Sequence, residues 1–141
     1  MRCSPSVSHP GLSKFDGLLR SVIEQLTNSS LSDSQWLQAS LPIKVGGLGI
    51  RRVSSLAIPA FLSSAASTQC LQDLILTDSS LPECPYFEEY LTLWSSYFGQ
   101  LPNPLPYKQS FFDRPGVASD RALVESSLID PFQRVLCYNE L

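Results

Sequence analysis

Gln35-Trp36-Leu37-Gln38-Ala39-Ser40-Leu41-Pro42-Ile43-Lys44-Val45-Gly46-Gly47-Leu48-Gly49-Ile50-Arg51-Arg52 holds a helix, its stop and a turn in one short run. Ser32, three residues before Gln35, supplies the hydroxyl of a capping box, and Leu31 is placed as a staple against Trp36. Pro42 ends the helix, because the residue before a proline is pushed out of helical geometry, and the chain is expected to pass into an extended Ile43-Lys44-Val45. Gly46, Gly47 and Gly49 permit positive φ and predict a tight turn. A helix, a turn and a further helix set the class as all-α.

Working outward, Leu12, Phe15, Leu18, Leu19, Val22, Ile23 and Leu26 recur at steps of three and four and predict an amphipathic helix over 12–26, with Lys14, Asp16, Arg20 and Glu24 off the stripe. After the turn, residues 53–66 keep helical spacing with a small-residue face interrupted by Pro59, which predicts a kink in a centrally packed helix. A separate helical stretch is expected over 70–76, broken by Thr77-Asp78-Ser79-Ser80. Pro82-Glu83-Cys84-Pro85 leads into a helix over 86–98 with an aromatic stripe of Phe87, Tyr90, Trp94 and Phe98. Leu101-Pro102-Asn103-Pro104-Leu105-Pro106 predicts an extended connector. Short helices are expected over 120–128 and 131–137. The expected architecture is a small irregular bundle of about five to seven helices with a glycine-rich turn and a proline-rich connector. Its parts would be residues 1–81, 82–107 and 108–141.

Composition narrows the chemistry. The 141 residues suffice for a core, but only 16% are charged and the net charge is -3, so no overall field draws nucleic acid. Four dispersed cysteines, Cys3, Cys70, Cys84 and Cys137, and one histidine, His9, offer no metal-ligand spacing. No apolar run has the length of a signal peptide or a membrane span, which predicts an intracellular protein, nuclear or cytoplasmic and not secreted, with reduced thiols. Glu88-Glu89, the adjacent carboxylate pair, points two ways on a helix and reads as a solvated face. Gly46-Gly47-Leu48-Gly49 fails as a dinucleotide fingerprint, because Arg52 stands where a third glycine belongs, and lacks the Gly-Lys-Ser/Thr ending of a Walker loop. Two readings remain for the turn: a packing device, or a site where Lys44, Arg51 and Arg52 meet phosphates. The aromatic stripe reads as core or as a protein-partner face, since 82–106 has no Lys or Arg to accompany base stacking.

The run from Trp36 to Ser67, with Ala60-Phe61-Leu62-Ser63-Ser64-Ala65, resembles the segment that follows the polymerase core in reverse transcriptases of animal non-LTR retrotransposons. Cys3-Ser4-Pro5 with Phe15-Asp16 extends the likeness upstream. Lys108-Gln109 with Asp113-Arg114-Pro115 extends it downstream, Phe112 standing where the family has tryptophan. The resemblance implies a thumb-like helical region that grips a primer and template duplex weakly, in a fragment lacking the catalytic aspartates. The parent polymerase would use Mg2+; no cofactor, metal or catalytic residue is carried over, and no enzyme activity is expected. Met1 beside family-like sequence reads as a chance start codon inside an old element. The alternatives are a host-used helical protein-interaction module, docking a partner through Phe87, Tyr90, Trp94 and Phe98, or an open reading frame with no function of its own.

Overall fold

A computed structural model describes residues 6–75 and 85–127, and these are all-α. Five α-helices appear among the described residues: α1, Pro10–Thr27; α2, Asp33–Ser40; α3, Val53–Ile75; α4, Pro85–Phe98; and α5, Gln109–Ser127. Cys3-Ser4-Pro5, the break at 77–80, most of the lead into α4 and the helix expected over 131–137 lie outside the described residues, as do Cys84 and Cys137.

Packing divides the chain into two units. One comprises the described parts of Leu56–Pro115 with Ser6 and Val7; the other runs over Ser8–Ser55 and resumes at Gly116. The core of the first is Phe61 and Leu62 of α3, Phe87, Leu91 and Trp94 of α4, and Phe112 of α5. Of the expected aromatic stripe, α4 buries Phe87 and Trp94, while Tyr90 is half-buried and Phe98 is 39% exposed. Phe112 is 0% exposed and meets Trp94 and Phe111 edge to face, with centroids at 5.7 and 5.4 Å. The Trp94 indole also donates to the Phe112 carbonyl at 3.0 Å, which satisfies a polar group that burial would otherwise strand. Leu101-Pro102-Asn103-Pro104-Leu105-Pro106 is irregular, but Leu101 and Leu105 pack on this core, so the connector lies within one unit.

Two prolines, Pro59 and Pro115, are accommodated inside helices. Pro59 lies within α3, and the stretch expected separately over 70–76 continues the same helix to Ile75. Residues 57–63 are buried nearly all round, so packing outweighs the one amide bond that Pro59 removes. Likewise α5 starts at Gln109, well before the expected Asp120, and runs through Pro115 and Gly116. The burial of Phe112 in the turn before Pro115 gives that turn its reason to be helical. Phe112→Ala should lower unfolding stability by about 3–5 kcal/mol, through lost burial and the cavity left behind. Urea denaturation followed by circular dichroism measures it.

Candidate functional site

The capping box of α2 forms as the spacing predicts. Ser32 Oγ accepts from the Gln35 amide at 3.3 Å, and Gln35 Oε1 accepts from the Ser32 amide at 2.9 Å. Beyond Pro42, Ile43–Val45 is a 3-10 turn and not the extended segment expected. The difference follows from Gly46 at φ 84°, whose amide returns to the Ile43 carbonyl at 3.1 Å and closes the turn. The chain then folds back on the end of α2. Leu48 and Ile50 amides donate to the Ala39 carbonyl at 3.1 and 3.3 Å, and the Gly49 amide donates to Leu41 at 2.9 Å. These bonds satisfy carbonyls that a terminating helix leaves open.

Gly47 is required by contact. A Cβ there would lie 2.0 Å from the Leu41 carbonyl oxygen, so only glycine lets the turn approach this closely. Every amide from Gly46 to Arg51 donates to a backbone carbonyl, which leaves none of them directed at a phosphate. Of the three basic residues, Lys44 is exposed on the 3-10 turn, while Arg52 pairs with Asp120 at 2.5 Å, each side chain about a quarter exposed. Arg51 is half-buried and also engaged. Two of the three candidates are thus held by the protein's own groups. The arrangement is a helix terminus locked by a glycine turn, with Lys44 its exposed cation.

An unforeseen group dominates this unit. Asp16 of α1 is buried, and its carboxylate accepts from the Val53 amide at 2.7 Å, the Ser54 amide at 3.2 Å and the Ser54 hydroxyl at 2.5 Å. It caps α3, whose preceding Ile50-Arg51-Arg52 has no side-chain acceptor to do so. Four residues on, Arg20 donates to Asp33 Oδ1 at 2.7 Å and to the Leu31 carbonyl, and the Asp33 hydrogen bond raises its pKa further. Glu24 Oε1 accepts from the Leu31 amide at 2.9 Å. The polar side of α1 therefore makes its specific contacts.

Part of the apolar side is left outward. Phe15 is 52% exposed, Leu18 58%, Val22 49% and Leu26 81%, while Leu12, Leu19 and Ile23 of the same stripe are half-buried. The physical reason is that a buried carboxylate holding three donors fixes which side of the helix turns inward. By contrast, Phe87 and Trp94, named from the sequence for a possible partner, are buried in the other unit's core. Tyr90 stacks edge-to-face on Phe61 at 5.3 Å, and burial first, then the Glu89 charge, push its phenol above the ordinary value. It is a neutral packing ring near pH 7. Among the described residues no three His, Cys, Asp or Glu side chains gather as metal ligands, and no helix is long and apolar enough to cross a membrane.

The chain matches no protein-family model, and no curated protein or solved structure shows significant similarity to it.

Two substitutions probe this unit. Asp16→Ala should lower stability by about 2–3 kcal/mol, as three bonds to one carboxylate are lost and α3 loses its cap. Gly47→Ala should cost at least about 2 kcal/mol, because the methyl meets backbone and the turn must open. Thermal melts of the two variants beside the parent chain measure both.

Proposed function

We propose that this chain is a non-catalytic helical module, related to the thumb-like region of non-LTR retrotransposon reverse transcriptases, that works by binding protein through α1. The descent is supported by the Trp36–Ser67 motif and its neighbours. The binding role is carried by one observation, the exposed row Phe15, Leu18, Val22 and Leu26 on a helix already anchored by its other side. Contiguous apolar surface of this kind marks interaction sites more often than a lone exposed leucine does. Its occupant is an apolar helix face of low charge. From Ser13 to Leu26 the exposed positions are Ser13, Lys14, Phe15, Gly17, Leu18, Ser21, Val22, Gln25 and Leu26, and Lys14 is their one charge. Nucleic-acid affinity depends on neutralising several phosphates, and this face offers a single cation for it.

The other reading, a weak grip on a primer and template duplex, rests on Lys44 and Arg51, with Arg52 tied to Asp120. Polymerase chemistry and its Mg2+ are assigned to sequence outside this chain. A fluorescence-anisotropy titration with a labelled duplex separates the two. The expected result at about 100 mM salt is no binding tighter than roughly 100 μM, unchanged in the Lys44→Ala/Arg51→Ala double variant. Tight binding that falls steeply with salt and disappears in that variant would replace the protein-binding reading with the duplex one.

A further inference from the structure

We infer that the partner is a second copy of this chain, with α1 paired antiparallel to α1 across Phe15, Leu18, Val22 and Leu26. This builds on the protein-binding reading of α1. An antiparallel pair sets Phe15 of one copy opposite Leu26 of the other, and Leu18 opposite Val22. The four exposed positions thus cover one another, as a two-fold interface requires. Gly17, with nothing within 4 Å of where its Cβ would be, and Ser21 lie one turn apart beside the stripe and let the helices approach closely.

Charge selects the direction. The last turn of α1 contains no basic residue, so the partial negative charge of its C-terminus has no side-chain cation of its own. In the antiparallel pair Lys14 of each copy reaches the partner's Leu26–Thr27 end and supplies it. Parallel pairing would instead bring the two Lys14 ammonium groups together. The four side chains expose on the order of 300–400 Å² of apolar surface, and two copies with their flanking groups bury about 1,000 Å², the lower end of specific interfaces. Such an area fits a reversible dimer that forms in the micromolar range.

Sedimentation velocity of the full chain from about 1 to 200 μM tests this. The expected result is a concentration-dependent shift from monomer to dimer. Leu18→Glu and Val22→Glu, at positions already exposed, should remain monomeric with unchanged far-ultraviolet circular dichroism. If either fails to fold, Ser21→Arg, a solvent-facing change to a good helix former, should block the same approach. Lys14→Glu should weaken the dimer about two- to fivefold. Gln25→Glu should tighten it by about twofold, because the new carboxylate meets the partner's Lys14. Weakening by Gln25→Glu would overturn the antiparallel arrangement. A chain that stays monomeric throughout, or dimerises equally well with Glu at 18 and 22, would overturn the second copy as partner. Protein binding through α1 falls only if the duplex titration gives affinity that depends on Lys44 and Arg51.

Discussion

The unit that contains α1 depends on one carboxylate. Asp16 gathers the Val53 and Ser54 amides and the Ser54 hydroxyl, and with them the start of the longest helix among the described residues. A helix N-terminus exposes donors and a partial positive charge, and α3 has no local residue to answer either. Supplying the cap from another helix converts a local requirement into a tertiary one. It also decides the rotation of α1 about its axis, since Asp16 must face inward. Arg20 and Glu24 follow on the same side and bind the Leu31–Asp33 segment that leads into α2. The hydrophobic row is outward as a consequence of where the polar groups find partners.

Much of the local structure was legible from residue order. The capping box of α2, the stop at Pro42, the glycine turn and the aromatic face of α4 each follow from a short-range rule, and each appears where the rule puts it. What sequence order could not supply was tertiary. The periodicity of Leu12–Leu26 marks which side of α1 is apolar but says nothing about whether anything covers it. Pro59 predicts a kink because a proline removes one hydrogen bond, and the helix containing Pro115 is expected to start only near Asp120, while the compensating burial of residues 57–63 and of Phe112 comes from elsewhere in the chain. Asp16 left one usable trace: α3 begins after Arg52 with no capping side chain of its own, which calls for an acceptor from a distant segment.

The candidate site was legible only in part. Sequence order placed Lys44, Arg51 and Arg52 beside the glycines, and they are beside them. It did not pair Arg52 with Asp120, 68 residues away, or show that the turn's amides are consumed in closing the end of α2. Both facts shift the glycine run from ligand chemistry toward architecture. Gly46 and Gly49 supply positive φ, and Gly47 allows a close backbone approach with no room to spare.

The burial of Trp36 and Trp94 has a practical side. They are the only two tryptophans in the chain, and each is buried in a different one of its two units. Each unit therefore contains its own intrinsic fluorophore, and replacing one indole at a time makes the emission of the other a private optical record of the half in which it sits.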